Sequence, residues 1–145
     1  MKKFEVASLG EFHKLVETEI TPLIAPRTLF LLTGIVGAGK TELIKTIAKK
    51  FNMQDVQSPT FAFHHQYQSD RLTLHHVDLY RLQSEEDLES TGFWDLFEHE
   101  NDTIFIEWAN MILTDAWPWG WKQIQIEIHK ISAESRQVVI RQPQA

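Results

Sequence analysis

The chain contains no cysteine in its 145 residues, which excludes disulfides, thiolate metal sites and cysteine nucleophiles. No stretch approaches the ~18 consecutive apolar residues that a membrane-spanning helix needs. Met1-Lys2-Lys3 could begin a leader peptide, but Glu5 and Glu11 come soon after and no long apolar run succeeds them. A surplus of positive charge is missing too. Fourteen Lys and Arg face 20 Asp and Glu, for a net charge of −6. A chain that grips nucleic acid by itself ordinarily shows a basic patch or stripe. Here Lys and Arg are scattered and residues 84–102 are markedly acidic. These absences lead us to expect a soluble, cytoplasmic protein that does not bind RNA or DNA strongly alone. Its acidic surface would suit a basic partner protein.

Repeats and low-complexity segments are also absent. The composition, 43% hydrophobic and 23% charged, argues against disorder and for one domain spanning residues 1–145 with a real core.

The most informative segment is Gly34-Ile35-Val36-Gly37-Ala38-Gly39-Lys40-Thr41, a full match to G-x-x-x-x-G-K-[ST]. Glycines let the backbone curl so that its N–H groups converge on phosphate oxygens. A helix beginning near Lys40 aims its positive end at the same point. The Lys40 ammonium can neutralise β and γ oxygens, and the Thr41 hydroxyl can ligate Mg²⁺. The flanks suit this loop. Thr28–Thr33 carries Leu-Phe-Leu-Leu, the continuous apolar run of a strand buried on both faces. Leu43, Ile44, Ile47, Ala48 and Phe51 then form the apolar face of a helix.

Other elements are legible in local pattern. Ser8-Leu9-Gly10-Glu11 is a capping box, with Phe12, Leu15, Val16 and Ile20 at helical spacing until Pro22 and Pro26. Gln57-Ser58-Pro59-Thr60 reads as a turn and Phe61–Tyr67 as extended. A polar turn at residues 68–71 joins this to Leu72–Asp78, a strand with one partly polar face, so that a hairpin is expected. Ser84–Asp87 starts a short acidic helix that Gly92 ends. Thr103–Ile106 is a short buried strand. Gln123–Ile131 alternates Ile with polar residues and pairs with Val138–Ile140. The fold class is therefore α/β, a P-loop NTPase-like mixed sheet with a parallel core, antiparallel hairpins and few flanking helices.

A nucleotide site also needs a carboxylate beside Mg²⁺. Asp78 and Glu107 each end an apolar strand, and ligands gather at the carboxyl ends of parallel strands. By itself each acid reads equally as the start of a solvated loop. Thr60 can present a hydroxyl to a γ-phosphate as switch loops do, although Ser58-Pro59-Thr60 alone reads as an ordinary turn. The pairs His64-His65 and His75-His76 put neighbours on opposite strand faces, so neither pair converges on one ion and no Zn²⁺ site is expected. The three Trp at 117–121 are read as covering a core edge rather than forming a base-stacking platform, since no basic stripe accompanies them, with an exposed patch for a partner as the alternative.

In order, Gly37–Thr41, Ser58–Phe61, Asp78-Leu79-Tyr80-Arg81-Leu82, the acidic helix with Gly92, and Ile106-Glu107-Trp108 resemble the bacterial TsaE (YjeE) family. That family is the ATPase needed to make N6-threonylcarbamoyladenosine (t6A) in tRNA. The likeness covers about residues 5–140, nearly the whole domain. It implies that Lys40 and the loop residues Gly37, Ala38, Gly39, Thr41 and Glu42 hold ATP. It implies that Thr41, Glu107 and Asp78 serve Mg²⁺, and that Thr60 lies in a switch. Trp108 and Tyr80 would lie near the nucleotide, as would Arg136. Lys40, Asp78, Glu107 and Thr60 are the residues it assigns to catalysis. It further implies partners of the TsaD and TsaB type, which bind tRNA and carry out the transfer. ATP rather than GTP rests on the resemblance; no Asn-Lys-x-Asp guanine reader is present.

The chain departs from the family at Ile35, Glu42, Asn110 and the Trp117–Trp121 segment. No catalytic base is evident, and Arg81, Arg136 or a partner residue would have to supply an arginine finger. A nucleotide-gated assembly subunit and a small-molecule kinase are the alternative readings. The second is disfavoured because no Arg-rich lid is present.

Overall fold

Four successive apolar side chains, Leu29 to Leu32, suit a strand covered on both faces. In the computed structural model, which describes residues 1–34, 38–56, 64–79, 92–107 and 117–142, this segment is a central strand. The strands are β1 (Lys2–Val6), β2 (Thr28–Thr33), β3 (Gln54–Val56), β4 (His64–Gln68), β5 (Thr73–Asp78), β6 (Thr103–Glu107), β7 (Lys122–Lys130) and β8 (Arg136–Arg141). They form one eight-stranded sheet in the order β1-β8-β7-β2-β6-β5-β4-β3. The middle of the sheet is parallel: β2 pairs with β6 and β7, and β5 pairs with β6. The flanks are antiparallel, through β7–β8–β1 on one side and β5–β4–β3 on the other. The expected mixed sheet with a parallel core is thus the observed one.

Helix α1 (Leu9–Leu15) starts at the expected capping box. Ser8 Oγ accepts from the Glu11 amide at 3.2 Å, and the Glu11 carboxylate accepts from the Ala7 amide at 2.7 Å. The helix runs on through a wider π turn, Val16–Ile20, into a 3₁₀ turn at Thr21–Leu23 that contains Pro22. Helix α2 (Lys40–Lys50) carries Leu43, Ile44 and Ile47 on its buried face. Both helices lie on one side of the sheet. Phe12, Leu15, Val16 and Ile20 join those three in packing on Phe30, Leu32, Phe105 and the inward isoleucines of β7. In-register Phe30 and Phe105 stack with centroids 4.3 Å apart. The other face is covered by a 3₁₀ turn, Phe93–Glu98, and by Trp117 and Trp121, which meet Leu29, Leu31, Val77, Ile104 and Ile106. Among the described residues no helix is long and apolar enough to cross a membrane.

Several details differ from the sequence reading. Phe51 is not on the buried face of α2, because the helix ends at Lys50 and the ring is left exposed. The partly polar face of β5 is not a solvated one: Leu74, His75, His76 and Val77 are all buried, because β5 lies between β4 and β6 with cover on both sides. Of the three Trp at 117–121, Trp117 and Trp121 cover the core edge, but Trp119 is 91% exposed. Strands β1 and β3 are additions to the expected elements. The turn at 57–60, the extended start at 61–63 and the acidic helix from Ser84 lie outside the described residues.

Candidate functional site

The site is built where parallel strands end. Strand β2 leads into the glycine-rich loop, and α2 leaves it at Lys40. Gly34 sits at φ 150°, where a Cβ would come within 2.6 Å of the Ile128 carbonyl oxygen, so the loop leaves β2 by a path that only glycine can take. Gly39 precedes α2 at φ 125°, over the Phe12 ring. The Lys40 side chain folds back and its ammonium donates to the Gly34 carbonyl oxygen. Burial lowers the Lys40 pKa below its usual value, and the carboxylates of Glu107 and Asp78 oppose that shift.

Those carboxylates are placed by sheet register. Parallel pairing of β5 with β6 sets Asp78 opposite Glu107. Glu107 is buried, and its Oε1 accepts from the Thr41 hydroxyl at 3.3 Å. The first residues of α2 and the last residues of β5 and β6 thus converge beside the Lys40 ammonium. The donors are all hard oxygens, a hydroxyl and two carboxylates. Mg²⁺ is held by one or two carboxylates plus substrate phosphates, whereas Zn²⁺ favours nitrogen and sulfur. The chemistry of this set therefore fits Mg²⁺. Among the described residues no group of three or more His, Cys, Asp or Glu forms a metal cage.

Arg136 reaches the loop from β8. Its Nε donates to the Ala38 carbonyl at 2.8 Å, and Nη1 donates to the Ser132 and Ser135 carbonyls at 2.8 and 2.9 Å. It therefore ties the loop to the β7–β8 turn. Glu42 lies 2.8 Å from His13 Nε2 and joins α2 to α1. Beside the loop opens a cleft of about 430 Å³ whose walls include Ser8, Phe12, Ala38, Gly39, Glu42 and Arg136.

The structure therefore brings together Ala38, Gly39, Lys40, Thr41, Glu42, Asp78, Glu107 and Arg136. Gly37, Thr60 and Trp108 lie outside the described residues, as do Ile35, Tyr80, Arg81 and Asn110. Sequence reasoning misses two neighbours of the site. Phe12 reads in sequence only as helix core, yet it floors the cleft. His76 reads as a structural or surface histidine, yet its Nε2 stands 3.4 Å from Glu107 Oε2. Its place two residues before Asp78, on the same strand face, is the available signal. The other strand face holds a separate chain of contacts. His64 Nε2 is 2.8 Å from His75 Nδ1, and His75 Nε2 is 2.7 Å from Asp102 Oδ2.

The mixed sheet with its parallel core and few helices, and the glycine-rich segment between β2 and α2, define the class: an α/β protein with a P-loop NTPase-like sheet. Within it the chain belongs to the TsaE family, because the family model described as "Threonylcarbamoyl adenosine biosynthesis protein TsaE" matches residues 7–138. It is 36% identical over 91 residues to a tRNA threonylcarbamoyladenosine biosynthesis protein TsaE of Rickettsia felis, covering 61% of this chain and 52% of that protein. A protein of the same description from Aquifex aeolicus is 36% identical over 85 residues, covering 57% of this chain and 63% of that one. The chain thus spans about half to under two thirds of the length of these relatives. The crystal structure of Bacillus subtilis YdiB is similar with a TM-score of 0.70, covering 96% of this chain and 83% of that chain. At 22% identity that likeness bears on the fold alone.

Proposed function

We propose that this chain is an Mg²⁺-dependent ATP-binding and ATP-hydrolysing subunit. It serves t6A modification of tRNA together with TsaD- and TsaB-type partners. One observation carries the reading: the Thr41 hydroxyl meets the Glu107 carboxylate beside the buried Lys40 ammonium, at the carboxyl edge of parallel strands. Mg²⁺, when bound, supplies charge neutralisation at the phosphates. The chain's own groups do the rest. Lys40 exchanges its bond to the Gly34 carbonyl for β- and γ-phosphate oxygens. The start of α2 directs its amides and positive end to the same oxygens. Asp78 orients water beside Glu107. The cleft over Phe12 takes the nucleoside, with Arg136 holding the Ala38 wall in place. Thr60 and Trp108 complete the site in this reading. Phosphoryl transfer to water depends mostly on positioning and charge, so a slow site completed by a partner is consistent with the residues present.

The test is calorimetric titration of ATP with Mg²⁺, followed by reconstituted tRNA modification with the partner proteins. Lys40→Ala should abolish tight binding. Glu107→Ala should keep nucleotide binding in EDTA while losing hydrolysis and modification. Unchanged affinity in Lys40→Ala would remove the foundation of the proposal. Modification that persists after hydrolysis is lost would replace the enzyme by a nucleotide-gated assembly subunit. Phosphate transfer to a metabolite instead of water would make it a kinase.

A further inference from the structure

We propose that His76 is a positioning residue: its imidazole holds one oxygen of Glu107 so that the other stays turned toward Thr41 and the phosphate loop. The inference rests on the reading of Glu107 and Thr41 as Mg²⁺ ligands.

Sheet geometry separates His76 from its neighbour. Adjacent residues of β5 face opposite ways, and His75 is engaged by His64 and Asp102 on one face. His76 pairs in register with Phe105, and Asp78 with Glu107, so His76 shares a face with both carboxylates. The His76 and Glu107 side chains are 7% and 4% exposed, so water does not readily replace their contact. His76 Nε2 makes no hydrogen bond within the described residues, and it lies 3.4 Å from Glu107 Oε2. At that separation the pair stands just outside hydrogen-bond geometry, and a small carboxylate rotation would complete the bond. A buried polar ring nitrogen left without a partner is rare. Oε1, meanwhile, accepts from Thr41. The carboxylate is therefore addressed at both oxygens, by His76 from the sheet and by Thr41 from α2. Ligating carboxylates are commonly held this way by a second hydrogen bond, and its removal typically costs about 10- to 100-fold in metal affinity. A neutral imidazole with its proton on Nε2 suffices, and no change of charge is required.

The experiment measures ATP affinity by calorimetry in Mg²⁺ and in EDTA, and takes the ratio. His76→Phe fills the space without a donor. His76→Gln places an amide nitrogen near the position of Nε2. His76→Asn is polar but too short to reach Oε2, and it carries the test if the Phe variant does not fold. The Mg²⁺ enhancement should fall about 10- to 100-fold in the Phe and Asn variants. It should stay near wild type in the Gln variant, with affinity in EDTA unchanged in all three. Equal losses in Mg²⁺ and EDTA, or no rescue by Gln, would overturn the assignment. Glu107→Gln, run alongside, separates the two levels. If it too leaves the enhancement intact, the metal reading fails and this inference goes with it. If it abolishes the enhancement while His76→Phe does not, the inference alone fails.

Discussion

Lowering the pH from 7 to 4 should cost the folded state about 3 kcal/mol through His64 alone. His64 opens β4, is buried, and bonds to His75, which in turn bonds to Asp102. Burial foremost, and then the neighbouring His75, His65, His76 and His99, push its pKa from 6.5 down to about 4. Between those two values the unfolded chain binds a proton that the folded chain refuses. Stability therefore falls as the pH drops through that window and is intact above it. Each pKa unit is worth about 1.4 kcal/mol, and the interval gives the figure above. His64→Gln removes the titrating group but keeps an amide nitrogen to face His75 Nδ1. Urea unfolding of both proteins across pH 4–7 isolates the effect, since the surface carboxylates titrate alike in each and cancel in the difference. Wild-type stability should decline relative to the variant by about 3 kcal/mol, nearly all of it below pH 6.5. Curves that stay parallel within about 0.5 kcal/mol, the usual error of additivity, would refute the reasoning.

The proposed phosphate site yields two further predictions. Lys40→Met should weaken ATP binding by about 2–5 kcal/mol, or roughly 30-fold to several thousand-fold by calorimetry, because one partner of a desolvated charge pair is gone. The unliganded variant should melt no lower than wild type, since a buried ammonium is replaced by an apolar chain of similar length. It should also lose the rise in stability that wild type shows as the pH climbs toward 10.5, the range in which the folded state releases the Lys40 proton before the unfolded state does. Arg136→Ala should lower unfolding stability by about 1–3 kcal/mol and weaken ATP binding with it, because the tie between Ala38 and the β7–β8 turn is cut. Arg136→Lys should fail to restore either property in the same melts and titrations. A single ammonium cannot reproduce the separate Nε and Nη1 bonds.

Much of this protein is written in local pattern. The glycine loop, the apolar run of β2, the alternation of β7 and β8 and the capping box at Ser8 are all legible because each depends on residues near in sequence. The edge strands β1 and β3 are not. Lys3-Phe4-Glu5-Val6 alternates over too few residues to announce a strand, and its extended form comes from pairing with β8. The polarity of β5 misleads for a related reason, since only its place between β4 and β6 decides that both histidines are buried. At the site, sequence alone points to Lys40 and Thr41 as candidate phosphate and metal groups, and marks Asp78 and Glu107 as acids at strand ends. It cannot say that those ends meet. The tertiary structure decides that, because parallel pairing of β5, β6 and β2 sets Asp78 beside Glu107 and brings Glu107 to the first turn of α2. The same pairing separates two adjacent histidines that look alike in sequence. A strand turns successive side chains to opposite faces, so His75 goes to Asp102 and His76 to Glu107.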